Sequence, residues 1–238
     1  MPTHAILDQR APTELFEAIC ARGYTPILLP AHPFLPSPIA SHPDMLLFFA
    51  PDAVYTTRLY EQIAKEELRL ISSVTGRSLH VCECELSEGY ENETRFNAVA
   101  IGKKLFCNPK YVAKEIVERS EYRVCATRQG YAKCSVIPIS DNALITADPS
   151  IAKVTQEIGV DTLWINDQGC ELEGYNTGFI GGAASYSPYH PIKELYFCGN
   201  IDLHPQSERI VRFCQEHDRD PISLTSSPLV DLGTVFII

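Results

Sequence analysis

The clearest pattern of apolar and polar positions runs from Cys134 to Ile165. The apolar run CSVIPI predicts a strand, SDN a turn and ALITA a second strand. Asp148 followed by Pro149 is a helix start. The Asp side chain can accept from the free N–H groups of the first turn, and Pro at the first position sacrifices no hydrogen bond. Ile151, Val154 and Ile158 then recur at helical spacing, Gly159 stops the helix, and DTLWI predicts a third strand. The unit is strand, strand, helix, strand.

The preceding segment repeats this order about 40 residues earlier, a period typical of repeat architectures. NAVAI and LFC are its strands around a Gly102-Lys103-Lys104 turn. Asn108-Pro109 opens a helix carrying Val112, Ile116 and Val117, and YRVCAT is its third strand. Two looser copies flank these. One is MLLFFA, AVYTT, a helix through Leu59 and Ile63, and the strand LRLISS. The other is GFIGGAASYSP, ELYFCG, a helix after His204-Pro205 with Ile210, Val211 and Cys214, and the strand PISLTS. A fifth copy is split between the ends. LVDLGTVFII supplies its opening strand, and AILDQ, the helix through Leu15, Phe16 and Ile19, and TPILLP complete it. The expectation is a single α/β domain over residues 1–238, with five ββαβ units around a pseudo-five-fold axis, closed by both termini. Residues 76–93 fit no unit and read as an insertion, and the Pro-rich stretch 30–43 reads as a connection.

Composition narrows the class. The chain has 238 residues and a net charge of −10, the wrong sign for a protein that grips a phosphate backbone, so no nucleic-acid partner is expected. No apolar run approaches the ~20 residues of a membrane helix, and the first residues lack a basic stretch before an apolar core, so neither a membrane nor a secretory signal is expected. Nine cysteines, an odd number and several within apolar runs, fit reduced thiols in a cytoplasmic protein. His80, Cys82 and Cys84 alternate as a strand would; with no fourth ligand at a familiar spacing, no metal is assigned to them. No dinucleotide or P-loop fingerprint is present, and no cofactor is expected.

Several stretches resemble the penteins, the guanidino-group-modifying fold, and in particular a bacterial branch of it, a domain of unknown function. They are HPD at 42–44, FNAVAIGKKLFCN at 96–108, QGYAKCS at 129–135, ALITAD at 143–148, GYNTGFIGG at 174–182 and the DLHP around His204. The resemblance implies a pentein-like α/β propeller. It also implies a cysteine nucleophile, a histidine proton shuttle and carboxylates that clamp a guanidinium. Two positions depart from the enzymes of the fold. Gly181-Gly182 is followed by Ala183 where they commonly carry Asp, and Asp231 stands where their C-terminal cysteine stands.

The repeat places Asp44, Asn97, Cys134, Gly182 and Asp231 at equivalent strand starts, converging on the axis. Carboxylates there could hold a planar guanidinium or amidinium by paired hydrogen bonds. Asp44 and Asp231 are the expected anchors, Asn97 an orienting group, and Gly181 and Gly182 a site of close backbone approach. Cys134 reads as nucleophile, core thiol or pocket lining. Lys133 should face away from it by strand alternation, while His42 should share a face with Asp44 if that segment is extended. His42 is the proton-shuttle candidate, His190 a weaker one on a loop above the same end, and His204 reads as a cap or surface residue. The expected ligand is a small guanidino, amidino or other cationic metabolite. The reaction, if any, is C–N hydrolysis or amidino transfer. The rival reading is a non-catalytic binding or protein-interaction module.

Overall fold

The computed structural model describes residues 1–119 and 121–238. The chain opens with β1 (His4–Asp8), α1 (Thr13–Ala21) and β2 (Thr25–Leu29). A helical turn α2 (Pro43–Leu46) leads into β3 (Phe48–Phe49), β4 (Ala53–Thr57), α3 (Arg58–Ile63), α4 (Lys65–Thr75) and β5 (Ser78–Cys82). After α5 (Tyr90–Glu93) come β6 (Val99–Ile101), β7 (Lys104–Cys107), α6 (Lys114–Val117) and β8 (Arg123–Ala126). Next are β9 (Val136–Ser140), β10 (Ala143–Thr146), α7 (Pro149–Glu157) and β11 (Asp161–Trp164). The remainder is β12 (Cys170–Glu171), β13 (Ser185–Tyr186), β14 (Glu194–Phe197), α8 (Ser207–Glu216), β15 (Asp220–Ser223), β16 (Leu229–Val230) and β17 (Val235–Ile237).

One pairing scheme recurs. In β3-β4-β5, β6-β7-β8 and β9-β10-β11 the first two strands are antiparallel and the last two parallel. β14 pairs parallel with β15, and Ala184 bridges antiparallel to Phe197 just before β13. The terminal strands repeat the scheme: β17 is antiparallel to β1, which is parallel to β2. Neighbouring first strands also touch. β13 pairs with β17, and the rings of Phe49 on β3 and Phe236 on β17 are 4.6 Å apart. The helices bury one apolar face each against these sheets, as with Ile151 of α7 and Ile210, Phe213 and Cys214 of α8.

Several boundaries differ from the sequence expectation. LRLISS is helical, not a strand. Leu68 and Ile71 are three apart and buried, while Leu70 is exposed, and Gly76 closes α4 at φ +66°. The third strand of that unit is β5, paired along its whole length with β4, so residues 78–82 belong to the repeat and not to an insertion. MLLFFA begins as the helical turn α2, because Pro43 starts a helix readily. The helix expected after Asn108 is short. Asn108 Oδ1 accepts from Lys110 N in a local turn, and Ala113 is extended, its N–H donating to Arg95 O. No helix among the described residues is long and apolar enough to cross a membrane.

Candidate functional site

Asp44 lies in the first turn of α2, and its N–H donates to Gly233 O at 3.0 Å, tying α2 to the segment before β17. Its Oδ2 accepts from Thr234 Oγ1 at 2.8 Å and from Cys134 Sγ at 3.3 Å. Its Oδ1 is buried and has no hydrogen-bond partner. Asn97, just before β6, joins the neighbouring segments. Its Oδ1 accepts from the N–H groups of Lys133 (2.7 Å) and Cys134 (3.1 Å), while Nδ2 meets Asp44 O at 3.2 Å and Cys134 Sγ at 2.9 Å. Asp44, Asn97 and Cys134 therefore share one buried cluster.

Asp231 is held between β16 and β17. Its Oδ2 accepts from Phe179 N at 2.8 Å and its Oδ1 from Gly233 N at 3.0 Å. Gly182 is required here by contact: a Cβ would stand 1.9 Å from Asp231 Oδ1. A Cβ on Gly181 would stand 2.4 Å from Val136 O and 2.5 Å from Cys134 O. Both glycines serve close approach to this cluster, not a positive φ.

His42 does not share a face with Asp44. His42 is extended, but Pro43 then starts a helical turn that carries Asp44, so the period-2 alternation of a strand is broken between them. The His42 ring instead lies between two other carboxylates, with Nε2 3.7 Å from Asp8 Oδ2 and Nδ1 3.8 Å from Asp231 Oδ1. Asp8, at the end of β1, is clamped by Arg10 (Nη2–Oδ2 2.6 Å, Nε–Oδ1 3.1 Å) and accepts from Ser41 Oγ at 2.8 Å.

Lys133 also departs from expectation. Residues 132–135 form a turn, not a strand, so alternation does not apply, and the side chain runs inward. Its Nζ donates to Thr234 Oγ1 at 2.8 Å and approaches Gly181 O at 3.4 Å, with the residue 2 % exposed. Thr234 holds φ at +69°, uncommon for a β-branched residue, and this places its hydroxyl between Lys133 and Asp44. Asp8, Lys133 and Thr234 carry no motif. The only sequence signal was the adjacency of Lys133 to Cys134.

The electrostatics follow from burial and partners. Burial pushes the Cys134 thiol well up, Asp44 and Asp231 add to this, and Asn97 and Lys133 oppose it. Cys134 is thus a neutral S–H donor at neutral pH. Burial also raises Asp231, against His42 and two backbone N–H groups, and lowers Lys133, against Asp44, Cys134 and Asp231. At Asp8 burial alone would raise the pKa, but Arg10, His42 and Ser41 outweigh it and the net shift is downward. Three buried carboxylates thus face two cations, Arg10 and Lys133. Lys133 reaches Asp44 only through Thr234.

The other candidates lie elsewhere. His190 lines a cavity with Gly102 and Asp141, at the hairpin-turn end of the strands and not at the strand-start end. His204 is buried, and its Nδ1 accepts from Gln206 N at 2.9 Å, so it caps the chain before α8 without being a surface residue. The Cys82 and Cys84 thiols interact with each other, while the His80 ring lies against Tyr55, centroids 4.6 Å apart. Among the described residues no three His, Cys, Asp or Glu side chains are placed to hold a metal ion.

A family model described as a family of unknown function, DUF6873, matches residues 6–236. The chain belongs to this family. No curated protein matches it in sequence. Among solved structures, the chain is similar to a mutant DDAH from Pseudomonas aeruginosa complexed with citrulline. Identity is 11 %, with 95 % of this chain and 93 % of that one covered, at a TM-score of 0.59. It is also similar to an amidinotransferase of the saxitoxin biosynthetic pathway from Microseira wollei, at 10 % identity, 95 % and 88 % coverage and a TM-score of 0.51. The DUF6873 chain has the pentein, guanidino-group-modifying fold.

Proposed function

We propose that this chain binds a small guanidino, amidino or other cationic metabolite at the acidic cluster where its five units meet, as one domain closed into a ring by both termini. The observation that carries the reading is Asp44. Its carboxylate is fully buried, one oxygen has no partner, and no cation lies within salt-bridge distance of it among the described residues. A buried carboxylate left in that state costs several kcal/mol, which a ligand N–H donated to Oδ1 would recover. In this reading Asp44 and Asp231 anchor the cation, Asn97 and Cys134 fix its orientation as neutral groups, and Gly181 and Gly182 let the backbone close on it.

The Cys134 Sγ to Asp44 Oδ2 contact favours a second reading, C–N hydrolysis or amidino transfer. Asp44 would take the thiol proton, and His42 would carry protons at Asp231. Titrating wild type, Asp44→Asn and Cys134→Ala with methylguanidine, acetamidine and arginine by calorimetry tests both. Saturable binding by wild type that weakens about tenfold or more in Asp44→Asn supports the proposal. No binding of any of these cations overturns it. Ammonia or amine release that vanishes in Cys134→Ala, with binding kept, would establish the catalytic reading.

A further inference from the structure

A second cavity lies at the opposite end of the strands from Asp44, Asn97 and Cys134. Its volume is about 890 Å³, and it is framed by the β6–β7 and β9–β10 turns and by residues 186–193. From Asn97 to the turn at Gly102 the backbone rises on the order of 15 Å, so the two sites do not overlap. Its size falls in the range of small-molecule sites. Phe49, Tyr122, Tyr186 and Tyr189 give it aromatic walls.

The polar groups on its lining residues are unusual. Tyr189 Oη, Ser187 Oγ and Arg219 Nε are buried and have no hydrogen-bond partner. Among the described residues the Arg219 guanidinium is held by two long bonds, to Ile139 O at 3.3 Å and Glu194 O at 3.4 Å. Among the described residues, the arginines in ion pairs are Arg10, Arg58, Arg69 and Arg119. Arg219 is not among them. Nor is Arg77, whose guanidinium lies 3.9 Å from the Tyr189 ring centroid. Burial pulls Arg219 below the ordinary arginine range, against the nearby Cys214 and Glu194, as expected of a cation lacking a counter-ion. Of the other basic side chains on the lining, Lys193 pairs with Asp220 and His217 Nε2 lies 2.9 Å from Asp161. The lining carboxylates are Asp141 and Asp218; both are exposed and screened by solvent, and Asp218 lies 3.6 Å from Lys193.

We infer that this cavity is a binding site for a small aromatic monocarboxylate, its ring between the tyrosines and its carboxylate taken by Arg219 with the Tyr189 and Ser187 hydroxyls. All three unpartnered groups can donate, and Arg219 Nε can only donate, so the ligand must bring acceptor oxygens. A guanidinium without a carboxylate partner selects an anion over a neutral acceptor. The site is independent of the acidic cluster.

The test titrates the full chain with phenylacetate and with its neutral analogue phenylacetamide, following backbone amide shifts by NMR. Phenylacetate should saturate, shift Gly102, Ser187 and Tyr189, and bind about tenfold or more tighter than the amide. Arg219→Gln should remove that preference. Because Arg219 also holds two carbonyls, Tyr189→Phe serves as the second variant. It deletes one hydroxyl, should leave the unfolding temperature unchanged, and should weaken phenylacetate several-fold. Asp44→Asn should leave phenylacetate binding intact. Equal affinity for acid and amide, absence of saturation, or unchanged affinity in both cavity variants would overturn the assignment.

Discussion

Asp8 is wholly buried, yet its carboxyl titrates below the ordinary range because Arg10 bonds both oxygens and Ser41 and His42 stand beside it. The sign of its pH effect follows. A carboxyl whose folded pKa is depressed binds fewer protons folded than unfolded, so its stabilisation is complete above the unfolded value of ~4 and fades as pH falls through the folded one. Asp8→Asn should therefore cost about 2 kcal/mol at pH 7, with the gap from wild type closing at acid pH. Urea unfolding of both proteins at neutral and acid pH checks this; a gap constant with pH would contradict it. Asp8 illustrates what a single sequence hides. It ends an ordinary apolar strand, and only the fold brings His42 and Ser41 to it. The repeat aligns Asp44, Asn97, Cys134 and Asp231, and the structure brings the first three into direct contact. The facing of Lys133 is hidden in the sequence, because residues 132–135 form a turn to which strand alternation does not extend.

At the scale of elements, legibility tracked local chemistry. Helix α7 matched its signals because each is backbone-local. Asp148 Oδ1 accepts from Ser150 N at 2.8 Å and Ile151 N at 2.9 Å, Pro149 starts the helix, and Gly159 follows it at φ +71°. Asp148→Ala should lower stability by about 1 kcal/mol, with Asp148→Ser recovering most of it, measured by chemical denaturation. A neutral Asp148→Ala would mean that α7 is held by tertiary packing alone. The misread elements lacked such signals. In LRLISS the alternation of Leu68 and Leu70 imitates a strand, and the deciding fact, that β4 pairs with residues 78–82, is tertiary. After Asn108 the cap signal was real but was spent on a local turn, because Ala113 N–H is taken by Arg95 O.

At the scale of the whole molecule, the decisive pairing is between the two ends of the chain. β17 lies inside a four-stranded sheet in the order β13-β17-β1-β2, so removing it unpairs a strand on each side. Its register sets Ala5 and Ile6 against Ile237 and Phe236 on one edge, and Ser185 and Tyr186 against Val235 and Phe236 on the other. Val235, Phe236, Ile237 and Ile238 are all buried, and Phe236 packs on Phe49 and Tyr186. Each such side chain contributes roughly 1.5–3 kcal/mol, so the four together rival the ~5–15 kcal/mol that a domain has in total. Met1, by contrast, is fully exposed. Deleting residues 235–238 should therefore abolish the cooperative thermal transition and the near-UV circular dichroism of the entire chain, including signals from Trp164, the sole tryptophan, far from β17 in sequence. Deleting Met1 and Pro2 should leave both unchanged. A C-terminal truncation that still melts cooperatively at the full-length temperature would show that β1 and β13 hold their places without β17.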